Sequence, residues 1–206
     1  MDLDRDTQLI FEIGTMRHLA RTWNQFGGVT FANVAEHTMR VAWISLVIAS
    51  REGADCGKVV QLALIHDAAE TRTGDVHYMS RLYTDRHEAK ALDDMTAETS
   101  LEWVQQLWHE YEQQESLEAR IVKDADTLDV DFELRELAAT GSHLPQIFKP
   151  IRDGVNSKLR TKTAVELYES LLLTNPHSWH LQGKNRATAG DWQGLTADAG
   201  PPEQQH

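Results

Sequence analysis

Apolar positions along this chain recur at helical intervals, and nowhere do they alternate convincingly as a strand ladder. Leu3, Leu9, Ile13, Met16 and Leu19 share one face of a predicted first helix over 3–22, which ends before the Gly27-Gly28 pair. From Asn33 the run VAEHTMRVAWISLVIASR predicts a buried helix, with Asn33 as its N-cap and Glu36 in the capping-box position. His37 falls in the first turn of that helix. A further helix over 58–70 carries VVQLALIHDAAE and stops near Thr73-Gly74. Val, Ile and Leu spread around both segments, which predicts central helices covered on several sides.

The charged stretch 85–111 keeps an inward face of Ala91, Leu92, Met95, Leu101, Val104, Leu107 and Trp108, with a break near Thr99-Ser100. A helix over 115–139 follows and places Asp126 among Leu117, Ile121, Val122, Ala125, Leu128, Phe132, Leu134 and Leu137. Gly141 to Pro150 reads as a loop or short turn, and a last helix runs from Thr161 to Leu173 before Asn175-Pro176. The pattern predicts an all-α domain over 1–176. Residues 177–206 form a polar extension whose final AGPPEQQH is expected to fray. Trp179 and Trp192 predict that part of it packs on the domain or on a neighbouring subunit, and His177, Trp179 and His180 are assigned no chemistry.

At 206 residues the chain can bury a core without staples, and its only cysteine, Cys56, excludes an intrachain disulfide. The opening MDLDRDTQ lacks the basic and apolar regions of a secretory signal, and no apolar run is long enough to cross a bilayer. A soluble, cytoplasmic protein without membrane contact is expected. The formal charge of -12 disfavours duplex nucleic acid as a partner, because that binding relies on neutralising phosphates with basic residues. It leaves room for a small phosphorylated substrate, since a bound cation and a few local basic groups can reverse the field in one pocket.

Charged side chains interrupt apolar helices at His37, at His66-Asp67 and at Asp126. Buried carboxylates are costly unless a cation or hydrogen bonds neutralise them. Two imidazoles and two carboxylates suit one divalent ion, Mn²⁺, Co²⁺, Zn²⁺ or Mg²⁺, with open positions left for water and substrate. The alternative on residue types alone is a buried His/Asp network without metal. Consecutive residues on a helix head in directions about 100° apart, so His66 and Asp67 can face one ion only if the C-terminal region of the helix bends or the ion sits between their headings. Lys123, one turn before Asp126, is placed to offset the carboxylates or contact phosphate, and Lys90 is a further phosphate candidate. His87 and Glu88 read as part of a solvated helix face.

In order and spacing, NVAEH, HDAAETRTGD and VKDADTLD resemble the HD-domain metal-dependent phosphohydrolases, and most closely the branch that contains the bacterial 5'-deoxynucleotidases and their archaeal and eukaryotic relatives. The resemblance covers roughly residues 9–140. It implies a compact helical HD-domain fold, His37, His66, Asp67 and Asp126 as metal ligands, and Glu70 and Asp75 as the groups that orient or activate the attacking water. Arg21 and Trp23 resemble the family's Arg-Trp pair, although here Thr22 separates them. The pair implies an arginine on the phosphate and a tryptophan on the sugar-base side, or one closing the core. The implied reaction releases nucleoside and phosphate from nucleoside 5'-monophosphates, with deoxyribonucleotides favoured. A deoxynucleoside triphosphate triphosphohydrolase, a guanosine polyphosphate hydrolase and a non-catalytic nucleotide sensor are the alternatives. Wide apolar helix faces predict a homodimer or larger homo-oligomer.

Overall fold

The computed structural model describes residues 3–27 and 31–181. All regular elements among them are helical. In chain order these are α1 (Leu3–Ile13), a 3₁₀ turn (Gly14–His18), α2 (Asn24–Gly27), α3 (Val34–Glu52), α4 (Cys56–Ile65) and α5 (Glu70–Thr73). A second 3₁₀ turn (Ser80–Leu82) leads to α6 (Glu88–Thr96), α7 (Val104–Gln113), α8 (Leu117–Ala139), α9 (Leu144–Asn156), α10 (Lys162–Leu173) and α11 (Ser178–Leu181). No described helix is long and apolar enough to cross a membrane.

Three helices make the centre. Val41, Ile44 and Ile48 of α3, Val59, Leu62 and Ala63 of α4, and Ile121, Val122, Ala125 and Leu128 of α8 interlock, with Tyr111 of α7 and Ala164 of α10 closing the sides. Each large aliphatic side chain removed from water here contributes roughly 1.5–3 kcal/mol. The start of α3 is fixed as the sequence predicts. The Asn33 side chain accepts from the Glu36 N–H, and the Glu36 carboxylate accepts from the Asn33 N–H. Asn33→Ala is therefore expected to cost about 1 kcal/mol of stability, read as a lower urea midpoint at unchanged m.

Three expectations are corrected. The first helix ends at Ile13 rather than near residue 22. Glycine at position 14 is a poor helix residue, and the chain beyond it pairs with the segment ahead of α3: Val34 N–H donates to Leu19 O at 2.9 Å and Arg21 N–H to Ala32 O at 3.4 Å. The helix predicted over 58–70 begins at Cys56, where Asp55 caps it, and stops at Ile65. Residues 66–69 are turns.

The stretch 141–150 is not a loop, because α9 runs through it. Pro145 sits in the first turn, where a missing N–H costs nothing, and tertiary contacts hold the helix across Pro150. Buried Arg152 donates from Nε and Nη2 to the two oxygens of Asp131 at 3.0 and 2.8 Å, and from Nη2 to Thr127 O at 2.6 Å. Asn156 adds a bond to Asp131 at 3.1 Å. Propensity alone would not have made this helix; a buried ion pair with α8 does. Trp179 is 78 % exposed in the single chain, which leaves a neighbouring subunit as its other expected contact, and Trp192 lies outside the described residues.

Candidate metal centre

Four chain segments meet at one end of the central helices. His37, in the first turn of α3, is fully buried. Its Nδ1 lies 2.6 Å from Asp129 Oδ2, and its Nε2 lies 3.3 Å from each of His66 Nε2, Asp67 Oδ2 and Asp126 Oδ1. His66 follows the last residue of α4. Its Nδ1 is 2.7 Å from Ala63 O and its Nε2 is 3.2 Å from Asp67 Oδ2. The turns over 66–69 resolve the directional conflict that an unbroken helix would impose, since both side chains now reach the same point. Trp108 Nε1 donates to His66 O at 3.3 Å and pins that break.

Asp126 projects from the middle of α8, with Oδ2 accepting from Lys123 Nζ at 2.9 Å. Arg21 is brought in by the paired segment before α3, and its Nη1 stands 3.3 Å from Asp67 Oδ2 and 3.5 Å from Asp75 Oδ2. Gly74, at φ 74°, turns the chain so that Asp75 Oδ2 accepts the Thr22 N–H at 2.9 Å.

The donor chemistry fits a divalent cation. Each histidine has an acceptor on Nδ1, which assigns the ring proton there in the neutral form and leaves a lone pair on Nε2. Two such lone pairs face each other across 3.3 Å, with carboxylate oxygens on the same spot. Ligand atoms of His37, His66 and Asp126 all lie within 4.8 Å of one another. Asp67 touches both imidazoles but is shared with Arg21. Electron pairs converging in this way need a positive charge between them.

Titration behaviour says the same. Burial opposes charge on His37, yet hydrogen bonds with Asp126, Asp129 and Asp67 raise its pKa well above the ordinary imidazole value. Burial likewise opposes ionisation of Asp126, and Lys123 and His37 overcome it, holding the carboxyl well below its usual range. The surplus of negative charge that favours a proton on His37 favours equally a divalent ion between these donors.

Glu70 opens α5 and is buried beside this group, with no hydrogen-bond partner for its Oε2 among the described residues. Burial first, then the charges of Asp67 and Asp75, push its carboxyl up to about 9. Arg21, Asp75 and Lys123 are thus brought to the cluster. Trp23 instead packs edge-on against Phe148 at 5.4 Å, in a small core with Phe31, Val130 and Leu134. Lys90 stays on the solvent side of α6, paired with Asp94.

Two contributors were not anticipated. Asp129 lies one turn beyond Asp126, and the spacing DADTLD was the available signal, since residues three apart on a helix share a face. Asp129→Asn is expected to weaken metal affinity about 10–100-fold by loosening His37, measured by metal titration of the stripped protein. Arg86 and Glu88 are the other omission. Their carboxylate and guanidinium meet at 2.5 Å and turn toward Glu70, so Glu88 is not part of a solvated face.

The sequence pattern of the HD domain matches residues 13–165. The chain belongs to the HD-domain family. Among HD-domain relatives, the human 5'-deoxynucleotidase HDDC2 is 27 % identical over 171 residues, covering 80 % of this chain and 83 % of the relative. The Bos taurus 5'-deoxynucleotidase HDDC2 is 30 % identical over 136 residues, covering 63 % and 66 %. A solved structure of a conserved hypothetical protein from Pyrococcus furiosus superposes with a TM-score of 0.68 at 28 % identity, covering 82 % of this chain and 99 % of that one. With this family membership and a cluster able to hold one divalent ion, the HD-domain chain has the equipment of a metal-dependent phosphohydrolase.

Proposed function

We propose that this protein hydrolyses the 5'-phosphate of deoxynucleoside monophosphates, giving nucleoside and orthophosphate. One observation carries the reading: imidazole and carboxylate donors converge beside a buried guanidinium, Arg21, and a buried carboxyl, Glu70, with an unpartnered oxygen. The names of the curated relatives above supply the substrate class.

His37, His66 and Asp126, with Asp67 beside them, would hold the divalent ion, which when bound supplies charge that polarises a phosphoryl oxygen and acidifies water. Arg21 offers its planar fork to non-bridging phosphoryl oxygens, fixed in that role by Asp67 and Asp75. Glu70 Oε2 takes a proton from the attacking water as its oxygen bonds to phosphorus, and returns that proton to the departing 5'-oxygen. Burial first, and then the charges of Asp67 and Asp75, hold the Glu70 pKa up to about 9, and positive charge at the cluster would lower it. Asp75 ties the backbone of Thr22, and with it Arg21, to the site. Lys123 offsets Asp126 and leaves the ammonium near the phosphate's approach.

We further propose that α3 carries the contact for a second copy. Met39, Trp43 and Val47, four residues apart, are 65 %, 62 % and 45 % exposed on its outer face. Light scattering should find a dimer or larger homo-oligomer, reduced by Trp43→Glu. A nucleotide substrate, the net charge of -12 and a free thiol at Cys56 suit a cytoplasmic enzyme that leaves duplex nucleic acid alone.

The test is product identity. Metal-stripped protein is given Mn²⁺, Co²⁺, Zn²⁺ or Mg²⁺ and a panel of nucleoside mono-, di- and triphosphates. Orthophosphate from deoxynucleoside monophosphates supports the proposal. Triphosphate released from a deoxynucleoside triphosphate overturns it.

A further inference from the structure

Glu70 has a single side-chain ion pair among the described residues, and it is an unusual one. Arg86 Nη1 stands 3.9 Å from Glu70 Oε1, too far for a hydrogen bond, while the same nitrogen is 2.5 Å from Glu88 Oε1. All three side chains are largely shielded from water. Arg86 comes from the long connection between α5 and α6, and Glu88 is the first residue of α6. A carboxylate, a guanidinium and a second carboxylate therefore bridge the gap between the two helices.

The spacing has a chemical consequence. A guanidinium in full contact with Glu70 would occupy the lone pairs needed to accept a proton, and one released to solvent would leave the carboxylate free to rotate. Glu88 opposes both by holding the guanidinium nitrogen 3.9 Å from Glu70 Oε1. Oε2, which has no hydrogen-bond partner among the described residues, is left for the reacting water.

We propose that Arg86 is a positioning residue for the Glu70 carboxylate, with Glu88 as the anchor that sets its distance. This rests on the role given above to Glu70. In this arrangement Arg86, held by Glu88, acts through Glu70, and gripping the phosphate is the task of Arg21.

The test compares Arg86→Gln with the wild-type protein, alone and on a Glu70→Gln background, using the deoxynucleoside monophosphate turned over fastest. Arg86→Gln is expected to lower kcat about 10–100-fold, the loss typical of an outer partner of a reacting group, with KM and metal content unchanged. On the Glu70→Gln background it should add no further loss, because both changes remove one interaction. Arg86→Lys, which keeps the charge, should retain much of kcat, and millimolar guanidinium should restore part of the activity of Arg86→Ala. The lysine variant also serves if the glutamine variant fails to fold. A crystal structure of Arg86→Gln should show the Glu70 carboxylate rotated. A raised KM at intact kcat would mean that Arg86 grips the substrate, and an equal loss on both backgrounds would mean that it acts elsewhere; either overturns the inference. If the wild type hydrolyses no deoxynucleoside monophosphate, the proposed function fails, while the orientation of Glu70 in the Arg86→Gln crystal still decides this one.

Discussion

Asp126→Ala is expected to remove metal-dependent turnover, lowering kcat/KM by about a thousandfold or more while the helical fold persists. A bound cation supplies several kcal/mol of charge stabilisation to phosphoryl transfer, and each ~1.4 kcal/mol is a factor of ten. Asp126 contributes one ligand atom to the candidate triad and is also the carboxylate that Lys123 neutralises. Its loss therefore acts twice. The cluster loses a donor, and an ammonium is left facing the two imidazoles that remain. Elemental analysis should find the variant without its ion at metal concentrations that saturate the wild type. The circular dichroism spectrum should be unchanged, because the core around Asp126 is built by Ile121, Val122, Ala125 and Leu128. A variant that keeps both its metal and its activity would remove Asp126 from the site.

Glu70→Gln should separate chemistry from metal binding. Glutamine keeps the shape and one acceptor oxygen but cannot carry a proton, so kcat is expected to fall about 10²–10⁴-fold with metal content intact. The pH profile supplies the sign. A general base works only when ionised, so wild-type kcat should fall as the medium is acidified through the Glu70 pKa. That value lies below the metal-free figure of about 9, since positive charge at the cluster opposes the raising effects of Asp67 and Asp75. The acid limb should vanish in Glu70→Gln. If it persists unchanged, another group carries the proton.

Much of this was legible in the sequence where local rules and tertiary demand agree. Asn33 and Glu36 announce the start of α3, and the apolar spread in VAWISLVIA and VVQLALI identifies helices that are in fact central. That His37, His66 and Asp126 meet was legible because charge among such residues requires a partner and because the motifs around them resemble those of HD-domain proteins. Elsewhere tertiary contacts decided. Nothing local in SHLPQIFKP outweighs Pro150, so α9 is visible only once Arg152 and Asn156 meet Asp131. Glu88 looked solvated because its partner is an arginine two residues away whose direction no periodicity gives. Trp23 illustrates a third limit: apolar side chains near a site serve packing as readily as substrate, and here the ring meets Phe148.

The interruption of the chain at His66-Asp67 has one more implication, for how such a protein can change over generations. Two neighbouring residues aim at one point only because α4 stops at Ile65 and α5 begins at Glu70. Adding or deleting a single residue between them would swing Glu70 away by about a quarter-turn while leaving His66 in place. The exposed residues 78–85, beyond Asp75 and buried His77, have no such constraint on their number, apart from the short turn at Ser80–Leu82. Length variation among descendants of this chain should therefore collect after the HDAAETRTGD segment and be absent within it.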